Sequence, residues 1–97
     1  MSLGLVIKKL RQSKGFSQKE FAMACKVTPG YLSQVENDKR RPGHELLNTI
    51  GELFEVPPQV LTFLSISEKD VKPEKRDVFL RMEKHIKNIV EDIFLDS

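Results

Sequence analysis

The sequence holds few of the residues that usually announce chemistry. Among its 97 residues there is one cysteine, one tyrosine, two histidines and no tryptophan. A lone cysteine closes no internal disulfide, so a reducing compartment is the expectation. Cys25 itself reads as a small core residue rather than a nucleophile. His44 and His85 stand far apart with no Cys/His cluster, which leaves no metal-ligand set. There is no glycine-rich phosphate loop and no G-x-S-x-G elbow. The acidic pairs Glu74/Asp77 and Glu91/Asp92 read as charged helix faces. Neither an enzyme site nor a cofactor site is expected. No apolar run approaches the roughly 18 residues of a membrane span. The opening Met1-Ser2-Leu3-Gly4-Leu5-Val6-Ile7-Lys8 reaches lysine too early for a secretory signal. A small cytoplasmic protein with no membrane partner is expected, of one domain and an appendage.

Net charge, at +2, says little, but its distribution says more. Residues 1–43 carry nine Lys or Arg against three acids, a net +6, whereas residues 44–97 carry seven against eleven, a net −4. A basic half points to a polyanion partner; a solvated surface with a chance asymmetry has the same counts.

Helical periodicity dominates. Leu3, Val6, Ile7 and Leu10 mark one face of a first helix, stopped at Lys14-Gly15. Ser17-Gln18-Lys19-Glu20 is a capping box, flanked by Phe16 and Phe21 at hydrophobic-staple positions. Thr28 suits an N-cap and Pro29 the first helical position, with Val27 and Leu32 as a second staple. Only Cys25, Lys26 and Val27 join the second helix to that cap, which is the tight connection of a helix-turn-helix. Asn37 to Gly43 is a basic loop rich in turn formers. A fourth helix carries Leu46, Leu47, Ile50, Leu53 and Phe54. A fifth follows Pro57-Pro58 and buries Val60, Leu61 and Leu64.

Residues 66–73 are largely polar and read as a linker. Residues 74–97 then hold a longer helix. Phe79, Met82, Ile86, Ile89 and Ile93 recur at coiled-coil spacing, and Val78, Val90, Phe94 and Leu95 widen the stripe. That face must be buried, either on the chain's own domain or on a second copy. Two heptads do not choose between them.

The stretch from Phe16 to Asn37, FSQKEFAMACKVTPGYLSQVEN, resembles the phage-repressor/Cro (xenobiotic-response-element) helix-turn-helix regulators. Ala22 stands where that family needs two helices to touch, Val27, Leu32 and Val35 stand at its core positions, and Tyr31 to Asn37 follows its recognition-helix pattern. The resemblance covers roughly residues 3–65. It implies an all-α fold, a five-helix lambda-repressor-like DNA-binding domain over residues 1–65 with an added C-terminal helix. It also implies a recognition helix from about Thr28 to Asn37 that reads the major groove of double-stranded DNA while the preceding helix crosses the backbone.

On this resemblance the DNA is met by Gln18, Thr28, Pro29, Gly30, Tyr31, Ser33, Gln34, Asn37, Lys39, Arg40 and Arg41. Gln18 is expected to bond a phosphate and brace the recognition helix. Pro29 and Gly30 occupy places where phage repressors often carry base-reading glutamines, so base reading falls to Thr28, Tyr31, Ser33 and Gln34. A bidentate bond from Gln34 to adenine is the natural pairing. Tyr31 serves either a phosphate or thymine methyl, or else the edge of the core. Lys39, Arg40 and Arg41 suit the phosphate backbone. Arg11 and Glu36 resemble the family's ion pair between the first and third helices. Lys26 and Asp38 replace glycines frequent at two turns.

The implied function is a dimeric transcriptional regulator, a repressor on a palindromic operator, paired through Phe79, Met82, Ile86, Ile89 and Ile93. A bacterial or phage-encoded protein at the nucleoid is expected. Two alternatives stand beside it. One is an antitoxin or mobile-element regulator whose C-terminal helix holds a partner protein. The other is a helical interaction module without DNA binding, against which the basic loop and polar recognition face both argue.

Overall fold

A computed structural model describes residues 2–92 and contains six α-helices and no strand among them. These are α1 (Leu3–Ser13), α2 (Gln18–Ala24), α3 (Pro29–Glu36), α4 (His44–Phe54), α5 (Pro58–Leu64) and α6 (Arg76–Val90). Short 3-10 turns at Glu68–Asp70 and Pro73–Lys75 connect α5 to α6.

Local chemistry sets the helix starts. The Ser2 hydroxyl accepts the Leu5 N–H at 3.1 Å, and the Thr28 hydroxyl accepts the Tyr31 N–H at 3.1 Å. At α2 the box is reciprocal: the Glu20 N–H donates to the Ser17 hydroxyl at 3.0 Å and the Ser17 N–H to the Glu20 carboxylate at 2.9 Å. The Phe16 and Phe21 rings close the staple with centroids 5.6 Å apart.

The first three helices end in the same double-bonded turn. After α1, Gly15 takes φ 74° while the Phe16 N–H bonds the Arg11 carbonyl and the Gly15 N–H the Gln12 carbonyl. After α2 and α3 the left-handed positions are filled by Lys26 and Asp38, both at φ 59°. A left-handed lysine costs roughly 1–2 kcal/mol; aspartate tolerates the region better. The sequence leads one to expect both departures from glycine, and the backbone keeps the turn anyway because its carbonyls need partners.

Val6, Ile7, Leu10, Phe21, Ala22, Leu32, Val35, Ile50 and Leu61 form a fully buried centre contributed by α1 to α5. α6 belongs to this core as well: Val90 is buried within it, and Ile86 packs against it. Lys9 of α1 and Glu91 approach to 3.8 Å across the same junction. Of the two ways of burying the C-terminal face that the sequence leaves open, packing on the chain's own domain accounts for Ile86 and Val90. Residues 66–73 are ordered by a Ser67/Asp70 cap and by the Arg76 guanidinium donating to the Glu68 carbonyl at 3.1 Å.

The expected C-terminal stripe also divides. Phe79 is buried and stacks near Phe63 with centroids 5.8 Å apart. Ile86 faces inward, whereas Met82 and Ile89 are exposed. Ile93, Phe94 and Leu95 lie outside the described residues. The inner seam runs Phe79, Glu83, Ile86, Val90, with Glu83 half-buried and paired to Lys87 at 3.4 Å. An i,i+4 ion pair let a charged residue take a place that hydrophobic patterning assigns to Met82. The outer seam is Val78, Met82, His85 and Ile89.

Candidate nucleic-acid interface

α2 and α3 are joined by the Cys25-Lys26-Val27 turn, closed by the Val27 N–H to Ala22 carbonyl bond at 3.0 Å. Ala22 is wholly buried between the two helices, where a larger side chain would part them. α3 buries Leu32, Val35 and Glu36, which leaves Pro29, Gly30 and Gln34 on the opposite, solvent face.

Glu36 is the buried anchor of that helix. Its carboxylate accepts from Arg11 Nε at 2.8 Å and Nη2 at 3.1 Å, and from the Gln18 amide at 3.1 Å. Arg11 Nη1 also donates to the Phe16 carbonyl at 2.8 Å. Three helices thus converge on one carboxylate, and the bidentate fork fixes orientation as well as distance. Gln18, expected at a phosphate and as a brace, has its amide committed to the brace.

The polar residues of α3 divide by what they already hold. Thr28 caps the helix, and the Asn37 amide donates to the Ser33 carbonyl at 2.9 Å. Gln34 is exposed, and its side chain enters no hydrogen bond among the described residues. Tyr31 follows neither of its two expected alternatives alone. It packs on the core edge, its hydroxyl accepts the Gly43 N–H at 3.1 Å, and its ring lies beneath the Arg40 guanidinium, 5.1 Å from ring centroid to Cζ. A cation over a ring face is attracted to it, so Tyr31 holds the basic loop against α3. Lys39 is exposed beside it.

Arg41 turns the other way. Its guanidinium approaches the Ser65 carbonyl and the Asp70 carboxylate, each at 3.4 Å. Both side chains are well exposed, so the contact is weak and screened by salt. Sequence reasoning missed this tie, since Asp70 lies 29 positions away along the chain. It also missed the Tyr31–Gly43 bond and a contact from Asp38 to the first turn of α1. A glycine at position 4, inside an otherwise apolar helical face, was the available signal for a close backbone approach.

Two ionisable groups near the motif are displaced from their ordinary values. The Ser17 amide and hydroxyl hold the Glu20 carboxyl below the usual glutamate value of 4.5. Burial pushes the Cys25 thiol above the usual 9.0, which keeps it protonated and inert. No helix among the described residues is long and apolar enough to cross a membrane.

The sequence profile of the helix-turn-helix family matches residues 7–61. The chain is 33% identical over 78 residues to the HTH-type transcriptional regulator RamB of Mycobacterium tuberculosis, covering 80% of this chain and 16% of RamB. It is 29% identical over 73 residues to the transcriptional regulator ClgR of the same species, covering 75% of this chain and 64% of ClgR. The chain thus matches less than two-thirds of the length of either relative. In three dimensions it resembles the crystal structure of the clp gene regulator ClgR from Corynebacterium glutamicum. The TM-score is 0.56 at 20% identity, covering 97% of this chain and 92% of that one. At that identity the likeness is one of fold, and it extends beyond residue 65. The profile match over more than half the chain, on the α2–turn–α3 geometry described above, makes this protein a member of the Cro/C1-type helix-turn-helix family of DNA-binding transcriptional regulators.

Proposed function

We propose that this chain is a dimeric repressor that reads a palindromic operator in double-stranded DNA, working at the nucleoid in the bacterial cytoplasm. One observation carries the reading. The exposed face of α3 stands beside the Lys39-Arg40 loop, while its buried face is anchored through Glu36 to α1 and α2. A groove-reading helix needs both: a solvent face to offer base edges and a rigid mount to keep its register.

Gln34 is the base reader, pairing with adenine through its amide. Thr28, Ser33 and Asn37 line the approach, and Pro29 and Gly30 let the DNA backbone come close. Lys39 and Arg40 hold phosphates, and Gln18 does so through its remaining carboxamide capacity. Arg41 joins them when the DNA phosphate displaces Asp70. The second copy is met by the outer seam of α6, Val78, Met82 and Ile89, with Phe79 and Ile86 supporting it from beneath. One recognition helix reads few base pairs, so pairing onto half-sites about 34–36 Å apart supplies the remaining specificity.

The test is a fluorescence-anisotropy titration of labelled duplexes across a salt series. Affinity should fall with a log–log slope of roughly −0.9 per phosphate contacted. Gln34→Ala should relax sequence preference, and Arg40→Ala should weaken all duplexes alike with a shallower slope. A flat salt response, or no binding at low salt, refutes the reading. Wild-type chain that is monomeric by light scattering at micromolar concentration refutes the dimer and leaves the outer seam to a different protein.

A further inference from the structure

An aspartate in a loop that faces phosphates should oppose binding. Asp38 sits between Asn37 and the Lys39-Arg40-Arg41 run, so charge alone assigns it a harmful role. Its side chain is engaged elsewhere, however. Asp38 Oδ1 accepts the Gly4 N–H at 3.1 Å. The first amides of a helix lack partners within it, and its positive end favours a carboxylate. Ser2 satisfies one amide of α1, that of Leu5, and Asp38 satisfies that of Gly4.

The junction is tight. A Cβ on Gly4 would fall 2.4 Å from the Val35 carbonyl oxygen and 2.7 Å from both the Glu36 carbonyl oxygen and Asp38 Oδ1. The first turn of α1 therefore abuts the last turn of α3, amide end against carbonyl end. The second fastening of this helix pair, Arg11 to Glu36, lies seven residues further along α1, roughly 10 Å at the helical rise. Core packing of Leu32 and Val35 seats α3 against α1, and two polar ties at that separation along α1 fix the angle more closely than one.

We propose that Asp38 is a positioning residue: by tying the end of α3 to the start of α1 it sets the tilt at which the recognition helix enters DNA, without touching DNA itself. This rests on the reading of α3 as the recognition helix. The lever is short but sufficient. Gln34, the base reader, stands about four helical residues from Asp38, roughly 6 Å, so a tilt of about 10° moves it by about 1 Å. A hydrogen bond to a base edge tolerates only a few tenths of an ångström.

The left-handed backbone here, φ 59°, suits glycine best and admits Asn and Asp. Glycine relieves the backbone and loses the acceptor. Asparagine keeps an acceptor and loses the charge. In Asp38→Gly the lost cap and the relieved backbone oppose each other in stability, so the fold should survive and binding becomes the readout.

Full-length wild type, Asp38→Asn and Asp38→Gly should each be used to select duplexes from a random-sequence pool. Affinity is then measured by anisotropy on the wild-type winner and on an unrelated duplex, with thermal unfolding on the same samples. Asp38→Asn should bind the winner within about threefold of wild type, the scale of one exposed charge. Asp38→Gly should bind it about tenfold or more weakly, the scale of one lost base contact, and should hold the unrelated duplex as well as wild type or better. Gly4→Ala, which forces the same junction apart from the other side, should lose discrimination likewise and stands in if Asp38→Gly does not fold. If Asp38→Gly keeps wild-type discrimination, or gains affinity on both duplexes equally, Asp38 is only a misplaced charge and the inference fails. Equal losses in Asp38→Asn and Asp38→Gly overturn the acceptor contact. A wild-type chain that enriches no duplex overturns the recognition reading itself, and this inference with it.

Discussion

Glu36→Gln tests the buried anchor most directly. The side chain of Glu36 is 1% exposed and that of Arg11 10%. The substitution keeps volume and shape but removes the negative charge and places an NH2 where one of three donors must be accepted. At least one of the bonds from Arg11 Nε, Arg11 Nη2 and Gln18 Nε2 is then lost, and the guanidinium stays buried without its counter-charge. Breaking one side of a buried pair costs about 3–5 kcal/mol. Arg11 keeps its bond to the Phe16 carbonyl and a small solvent exposure, which places the expectation at the low end, about 3 kcal/mol. For a domain of this size that is a fall in Tm of roughly 12–24 °C. In urea it is a shift in midpoint of about 2 M if m is near 1.5 kcal/mol/M. The assay is equilibrium urea unfolding by circular dichroism on wild type, Glu36→Gln, Glu36→Met, Arg11→Met and the double variant Arg11→Met/Glu36→Met. Replacing both partners by apolar groups should restore most of the loss, because the desolvation penalty disappears with the charges. A loss below about 1 kcal/mol in Glu36→Gln would mean that the pair behaves as a surface contact. A double variant whose loss equals the sum of the singles would mean that the two residues are not coupled.

The remaining expectations concern the outer seam, the α2 cap and the buried thiol. Met82→Asp with Ile89→Asp should give a monomer by light scattering with unchanged helical signal, because both side chains are exposed; Ile86→Asp should instead destabilise the fold, because that residue packs on the core. Unfolding in the Met82/Ile89 pair would place the outer seam inside the monomer's own packing. The Glu20 carboxyl should titrate below 4.5 in a carbon-detected NMR titration, since the Ser17 amide and hydroxyl bond its ionised form. A lowered folded value means the contribution is present above the unfolded value and lost as acid titrates through the folded one, so the gap in Tm between wild type and Glu20→Ala should close on acidification. A midpoint at or above 4.5 contradicts the capping box. The Cys25 thiol, raised above 9.0 by burial, should react with iodoacetamide at neutral pH far more slowly than in denaturant. Because its folded value is the higher one, stability should decline as pH rises past 9.0; rapid alkylation of the native chain would show the thiol to be accessible.

Local rules carried the sequence reading from α1 to α5. Ser17 and Glu20, Phe16 and Phe21, and Thr28 followed by Pro29 act within four or five residues, and such short-range chemistry is legible without knowing what lies across the core. In α3 the buried Leu32 and Val35 stand at the core positions that the family resemblance implies, whereas packing against Arg11 decided that Glu36 is buried. Tertiary structure alone decided which face of α6 turns inward. Two seams one residue apart compete on that helix, and the inner one includes Glu83, which pairs with Lys87 at 3.4 Å while Phe79 packs on Phe63 and Val90 enters the core. It alone decided that Arg41 leans on Asp70, that Tyr31 holds Gly43, and that Asp38 caps α1. Each of those contacts joins residues 12 to 34 positions apart. A polar side chain near the chain surface has many possible partners at such separations, and only the packed arrangement of the helices brings one of them within hydrogen-bond reach.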